Sequence, residues 1–201
     1  TSRTLRVHWA MAELGLVYRT KPIRTRTPDT ESAEFKALNP RQKIPVLTDG
    51  DLTLAESAAI VTYLGETYGK SSGCELVPSQ AVARAHYHEW MSFICMELDA
   101  TSLYVLRRHV DLNGIYGDAP AATDSSRAYF DRMIGAAHQL VGDRLTYLVG
   151  DRFTGADIML TTCLAWAVRY DQSIPAVFES YLASMTDRPA HQAALDANRV
   201  P

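Results

Sequence analysis

An acidic and a hydroxyl side chain, Glu56 and Ser57, stand side by side where an apolar pattern with helical spacing begins. The first turn of a helix offers unpaired backbone N–H groups and positive partial charge, which suit a carboxylate ligand. A glutamate at the same point can pair with an ammonium group. The pair therefore suits a ligand that carries both charges, although the same residue types also cap ordinary helices.

The residues before this pair predict the elements that position it. Residues 44–47 read Ile-Pro-Val-Leu, and 52–54 read Leu-Thr-Leu, with Asp49-Gly50 between the two runs. An Asp-Gly pair between short apolar segments is a strong hairpin signal. Pro45 at the start of a strand is tolerated at an edge or after a cis peptide bond, and both readings remain open. The sequence thus predicts a hairpin leading into a helix that starts near Ser57.

This order of elements resembles the glutathione-binding half of the cytosolic glutathione transferases, closest in pattern to bacterial theta-, zeta- and beta-like members. That half is a thioredoxin-like domain with a cis-proline followed by a Glu/Gln-Ser pair. The resemblance implies that the backbone of Ile44, before Pro45, pairs with the cysteinyl part of glutathione. It also implies that Glu56 and Ser57 hold the γ-glutamyl end.

The loop before the first helix reads Thr1-Ser2-Arg3-Thr4. In the family, a donor from this loop stabilises the glutathione thiolate: tyrosine in some classes, serine in theta and zeta, cysteine in beta. An ungapped alignment places Thr1 at the theta/zeta serine and Arg3 at the beta cysteine. The resemblance implies a hydroxyl donor, Ser2 ahead of Thr1, with Arg3 adding positive potential. The alternative is that both hydroxyls only cap the helix.

Two further groups follow from the resemblance. Lys43, ahead of its neighbours Arg41 and Gln42, is the candidate for the glycyl carboxylate of glutathione. The second substrate is expected against the first long helix of the C-terminal half. The candidate lining residues there are Trp90, Met96, Tyr104 and Arg108. Apolar residues in such stripes more often belong to a core.

A structural motif is readable at residues 153–158, Phe-Thr-Gly-Ala-Asp-Ile. Thr154 and Asp157 have the spacing of a capping box, and Phe153 and Ile158 lie where a hydrophobic staple would place them. The segment predicts the start of a buried helix. It also resembles the capping motif of the transferases' helical domain, which extends the resemblance over essentially the whole chain.

The pattern predicts an α/β domain at residues 1–68, a linker at 69–79 and an all-helical domain at 80–201. In the first part we expect a helix to about Gly15, a strand at 17–20, a short helix at 32–38 and the hairpin. A thioredoxin-like domain has a strand before its first helix. None is readable here, so we expect residues that precede Thr1 to supply it. In the second part the longest predicted helix runs from Ala81 to about Val110.

Composition narrows the class of protein. The chain has 201 residues, 47% hydrophobic and 21% charged, with a formal net charge of −3, so it is globular and has no basic field for nucleic acid. Cys74, Cys95 and Cys163 lack metal spacing and suit a reducing compartment. No segment is long and apolar enough to cross a membrane. We expect a cytoplasmic protein that binds no membrane and holds no metal or tightly bound cofactor.

The expected function is a glutathione transferase that uses glutathione as co-substrate against a hydrophobic electrophile or a peroxide. By resemblance it would act as a homodimer. Two alternatives stay open: a non-catalytic binding or scaffold protein with the same fold, and a glutathione-dependent isomerase of the maleylacetoacetate type.

Overall fold

A computed structural model describes residues 1–199 of the chain. Its elements, in chain order, are α1 Ser2–Glu13, α2 Pro28–Glu31, α3 Ala33–Leu38, β1 Val46–Asp49, β2 Leu52–Ala55, α4 Ser57–Ser72, α5 Ala81–Phe93, a π-helical segment Ile94–Leu103, α6 Tyr104–His109, α7 Asn113–Tyr116, α8 Pro120–Val141, α9 Gly155–Arg169, α10 Ala176–Thr186 and α11 Pro189–Ala197. The predicted fold class, a small α/β part followed by an all-helical part, is confirmed.

The chain forms two compact units, one of residues 1–77 with 189–201 and the other of residues 78–188. This division differs from the expected one in two ways. The last helix, α11, belongs to the first unit, where it packs on α1. In addition, α4 continues to Ser72, so the first four residues of the expected linker are helical.

The first unit contains a two-stranded antiparallel sheet with the register Val46↔Ala55, Leu47↔Leu54, Thr48↔Thr53 and Asp49↔Leu52. Gly50 adopts φ +56° in the two-residue turn, a conformation that favours glycine. Asp49 accepts hydrogen bonds from the hydroxyls of Tyr63, at 2.9 Å, and Tyr68, which ties the hairpin tip to α4. These bonds lower the pKa of Asp49, and the bond to Asp49 raises the pKa of Tyr68 to about 12.

The strand expected at residues 17–20 does not form. These residues have no regular secondary structure, and within residues 1–199 β1 pairs only with β2. A strand exists only through hydrogen bonds to a neighbouring strand. The β-type composition of Val17 to Thr20 therefore produces none without a paired partner.

The core of the first unit lies between α1, α4 and α11. Trp9 is fully buried, with its ring 4.6 Å from that of His191 in an edge-to-face arrangement. Ile60, Val61 and Leu64 of α4 are also buried. This packing holds α1 against α4 and α11.

The second unit is helical throughout its regular elements, with α9 packed against α5, the π-helical segment and α10. The single helix expected over residues 81–110 is interrupted, because residues 94–103 adopt π-helical geometry. There, the hydroxyls of Thr101 and Ser102 donate to the carbonyls five residues earlier, at 2.7 and 2.8 Å. Among the described residues, no helix is long and apolar enough to span a bilayer.

Gly69 gives a test of the packing around α4. A Cβ at this position would lie 2.8 Å from the carbonyl oxygen of Cys74, an atom of the backbone that cannot rotate away. We expect Gly69→Ala to lower the free energy of unfolding by about 1–3 kcal/mol, the usual cost of overpacking. Urea denaturation measures it.

Gly135→Ala is the matched control, since this α8 glycine has open space around the added Cβ. There the higher helix propensity of alanine should stabilise the protein by up to about 1 kcal/mol. Equal effects at the two positions would contradict the packing argument.

Candidate functional site

Two segments of the first unit hold the residues that the sequence predicts to bind a ligand through backbone groups and charges. The first is the loop before β1. The Ile44-Pro45 peptide bond is cis, which settles the choice left open by the sequence. The side-chain amide of buried Asn39 donates to the carbonyl of Lys43 at 2.8 Å, and this hydrogen bond holds the loop in place. Ile44 and Pro45 are half-buried, whereas Lys43 is exposed.

The start of α4 forms the second segment. Glu56 has φ +71° and ψ 114°, and its carboxylate lies 3.9 Å from the guanidinium of Arg41. A non-glycine residue with positive φ costs on the order of 1–3 kcal/mol, and such strain is concentrated at ligand sites. Ser57 is buried, and its hydroxyl accepts a hydrogen bond from the guanidinium of buried Arg6 at 3.3 Å.

At the start of α1, the hydroxyls of Thr1 and Ser2 have different surroundings. Thr1 is the N-cap: its side chain accepts from the amide of Thr4 at 3.2 Å, and the side chain of Thr4 answers it in a capping box. Ser2 occupies the first helical position and is half-exposed. Within the described residues its hydroxyl has no hydrogen-bond partner. The N-terminus of α1 adds positive partial charge beside it.

A cavity of about 1050 Å³ opens within the first unit. Thr1, Ile44 and Pro45 line it, whereas Ser2, Arg3, Lys43, Glu56 and Ser57 do not. Three of the sequence-predicted residues therefore line this cavity, and the others do not.

His8 and Tyr18 also line this cavity, and neither is among the sequence-predicted site residues. Their side chains are hydrogen-bonded through Nδ1 and the hydroxyl at 2.8 Å. Burial lowers the pKa of His8 and raises the pKa of Tyr18. The neutral forms of both are therefore favoured, as a polar pair against an apolar wall requires. The ten-residue separation of the pair carries no recognisable local signal.

The four residues predicted to line a second-substrate pocket lie in different surroundings within the second unit. Trp90 is buried and lines a cavity of about 730 Å³ together with Phe93, Leu140 and Tyr147. Met96, Tyr104 and Arg108 do not line that cavity. Met96 is 60% exposed, and Arg108 stacks over the ring of Tyr116 at 4.5 Å. Because the π-helical segment alters the residue spacing, positions predicted on α-helical spacing do not stay on one face.

The capping motif in the second unit is built around Asp157. Its carboxylate accepts hydrogen bonds from the backbone of Leu148 and Thr154 and from the hydroxyls of Thr154 and Tyr181, all between 2.7 and 3.0 Å. Thr154 and Asp157 form a capping box at the start of α9. Burial raises the pKa of Asp157, and the hydrogen bonds oppose this shift.

Comparison with known proteins identifies the family. The model for the glutathione S-transferase N-terminal domain matches residues 2–67, and the model for the C-terminal domain matches residues 120–196. Glutathione S-transferase 3 of Zea mays is 31% identical over 154 residues, which cover 76% of this chain and 68% of the maize protein. The chain belongs to the glutathione S-transferase family.

Two other known proteins match more of the chain than the maize transferase does. A probable maleylacetoacetate isomerase of Vibrio cholerae is 27% identical over 178 residues, covering 85% of this chain and 79% of the relative. A glutathione transferase homologue of Lodderomyces elongisporus, solved with two glutathione molecules per subunit, shares the fold. Its TM-score is 0.86 at 21% identity, over 99% of this chain and 95% of that one.

Among the described residues of this glutathione S-transferase, no group of three or more His, Cys, Asp or Glu side chains is arranged to hold a metal ion.

Proposed function

We propose that this protein binds glutathione, favours its thiolate form and directs it at a hydrophobic electrophilic small molecule. The observation that carries the proposal is the combination, in one compact unit, of the cis Ile44-Pro45 peptide, the strained Glu56 with Ser57 at a helix start, and the Ser2 hydroxyl at another helix start. In this proposal these features would serve the cysteinyl, γ-glutamyl and thiol parts of one tripeptide.

Backbone and charge supply the binding. The N–H and C=O groups of Ile44 would pair with the cysteinyl residue. The start of α4, with Ser57, would hold the γ-glutamyl carboxylate, and Glu56 would pair with the ammonium group. Lys43, exposed in the preceding loop, would reach the glycyl carboxylate. Buried Arg6 keeps the Ser57 hydroxyl oriented through its 3.3 Å hydrogen bond.

Activation of the thiol needs stabilisation of its anion. A free thiol has a pKa near 8.5, so only a few per cent is ionised at neutral pH. We propose that the Ser2 hydroxyl donates to the thiolate, with the N-terminus of α1 and Arg3 adding positive potential. With an aryl halide, the sulfur–carbon bond forms, the carbon–halogen bond breaks, the halide leaves with its electron pair, and the thiol proton passes to water.

The experiment for this function combines calorimetric titration with glutathione and a conjugation assay with a generic aryl halide. Saturable binding together with conjugation above the uncatalysed rate is the expected result. Binding without conjugation of the aryl halide would favour the scaffold alternative, and absence of binding would refute the proposal.

A glutathione-dependent isomerase is the second candidate, because of the likeness to the probable maleylacetoacetate isomerase of Vibrio cholerae over 85% of the chain. Conversion of maleylacetoacetate, assayed beside the aryl halide, distinguishes the two activities. We further propose a cytoplasmic location, consistent with the odd number and wide spacing of the cysteines. We also propose a homodimer, by resemblance to the family. Sedimentation equilibrium tests the dimer, and a monomer at assay concentration would refute it.

Glu56→Gln tests the γ-glutamyl end. The variant keeps the size of the side chain but removes the charge that would pair with the ammonium group. Because the carboxylate is largely exposed, we expect the Kd for glutathione to rise about tenfold, the lower range for a charge-assisted hydrogen bond. Calorimetric titration measures it.

Glu66→Gln, an exposed glutamate of the same helix, is the matched control and should leave the Kd unchanged. If both variants bind glutathione like the parent protein, Glu56 has no role in binding.

A further inference from the structure

The side-chain amide of Asn198, just after α11, contacts both ends of the segment that contains Ser2. Its Oδ1 accepts a hydrogen bond from the Thr4 hydroxyl at 2.6 Å, and its Nδ2 donates to the Thr1 carbonyl at 3.3 Å. Thr1 is the N-cap of α1 and Thr4 is the third helical residue. The Asn198 side chain therefore binds Thr1 and Thr4, the residues that flank Ser2 and Arg3.

The packing of α11 on α1 holds Asn198 in place for these hydrogen bonds. The two helices belong to the same compact unit, and the rings of Trp9 and His191 meet edge to face at 4.6 Å. His191 and Ala194 of α11 are buried, and Asn198 itself is half-buried. Because α11 is held along its length, the amide at its end is fixed relative to α1.

The two hydrogen bonds of Asn198 hold the helical turn that carries the Ser2 hydroxyl. Thr1 and Thr4 already bind each other through the capping box, with their hydroxyl oxygens 3.0 Å apart. Asn198 adds contacts from outside the helix, at a separation of 194 residues in the chain. Helix ends fray unless such contacts hold them, and a frayed first turn would let the Ser2 hydroxyl move away from a thiolate.

We infer that Asn198 is a positioning residue: it holds the first turn of α1 so that the Ser2 hydroxyl stays aimed at the sulfur of bound glutathione. The inference rests on the proposed function, since it needs a thiolate at Ser2. Asn198 also lines the cavity that Thr1, Ile44 and Pro45 line, but the inference assigns it no contact with the tripeptide or the electrophile. Its effect passes through Thr1 and Thr4 to Ser2, so it changes activation of the thiol and leaves the glutamyl and cysteinyl contacts of residues 44–57 unaffected.

The test is a double-mutant cycle between Asn198→Ala and Ser2→Ala, read out by kcat for the aryl halide, the Kd for glutathione and the ultraviolet absorbance of the bound thiolate against pH. Asn198→Ala should lower kcat about tenfold, move thiolate formation to higher pH and leave the Kd within twofold. In the Ser2→Ala background it should have no further effect on kcat, because residues that act through one another are not additive.

The same contact is tested from the other side by Thr4→Val and Thr4→Ser. Valine keeps the shape and loses the hydroxyl, so it should reproduce the loss in kcat. Serine keeps the hydroxyl and should restore kcat. Asp196→Ala is the control on the same helix end, because this exposed carboxylate pairs only with Arg199 in the described contacts. It should leave all three readouts unchanged.

The outcomes separate this inference from the proposed function. If the parent protein conjugates the aryl halide but Asn198→Ala matches it, the inference is wrong and the function stands. A loss that adds fully to that of Ser2→Ala, or a fall in glutathione affinity in step with thermal stability, assigns Asn198 a purely structural role and overturns the inference. If the parent protein neither binds nor turns over, the proposed function fails first.

Discussion

Ser2→Ala is expected to lower kcat/KM for conjugation about 100-fold while the Kd for glutathione stays within twofold. A hydrogen bond to a charged group contributes roughly 1.5–3 kcal/mol, and each 1.4 kcal/mol is a factor of ten. The contacts proposed for the rest of the tripeptide come from residues 43–57, so affinity should not depend on this hydroxyl. Because the bond favours the charged form of the thiol, its loss should move thiolate formation to higher pH.

Thr1→Ala and Ser2→Thr complete the Ser2 experiment. The Thr1 oxygen is engaged in the capping box, so its removal should cost about 1 kcal/mol of stability and change kcat/KM less than fivefold. Ser2→Thr retains a hydroxyl and should recover most of the activity. A larger loss of kcat/KM in Thr1→Ala than in Ser2→Ala would make Thr1 the thiolate donor and Ser2 the capping residue. If both alanine variants remain fully active, the two hydroxyls only cap the helix.

Asp157→Ala is expected to have the largest effect on stability of any single change considered. It removes the acceptor for two buried backbone amides, those of Leu148 and Thr154, and for the buried hydroxyl of Tyr181. Each buried donor left without a partner costs about 1–3 kcal/mol. We expect the free energy of unfolding to fall by about 4 kcal/mol, measured by urea denaturation with glutathione absent.

Two variants control the Asp157 result. Asp151→Ala removes a carboxylate two residues before the motif, but its side chain is 94% exposed and pairs only with neighbouring Arg152 among the contacts described. Its effect should stay within about 0.5 kcal/mol, as is usual at the surface. Tyr181→Phe removes one of the four donors to Asp157 and should cost about 1 kcal/mol. A loss at Asp157 no greater than that at Asp151 would show that the motif contributes little to stability.

The features that could be predicted from the sequence are those specified by a few neighbouring residues. Gly50, which follows Asp49 at the end of β1, begins the two-residue turn of the hairpin, and Thr154 with Asp157 supplies a capping box within four residues. Each is a local conformational preference with a short chemical signature. The start of α4 at Ser57 follows from the same kind of signal. The fold class, which combines such signals, was predicted correctly.

The features that the sequence did not reveal depend on distant partners. Val17 to Thr20 have the composition of a strand, yet pairing decides whether a strand forms, and composition does not report pairing. The π-helical segment lies inside a continuous apolar pattern, and the i−5 hydrogen bonds of Thr101 and Ser102 only become visible in three dimensions. The contact of Asn198 with Thr4 joins residues 194 positions apart, so no local pattern could have indicated it.

The placement of α11 in the first unit has a consequence for how the protein is made. During translation the residues of 1–77 leave the ribosome long before α11, which completes their unit. At ordinary rates of synthesis the delay is roughly 6–20 seconds. Throughout this interval Trp9, fully buried in the finished protein, lacks its His191 neighbour. The nascent chain thus exposes an incomplete first unit, a state on which chaperones can act.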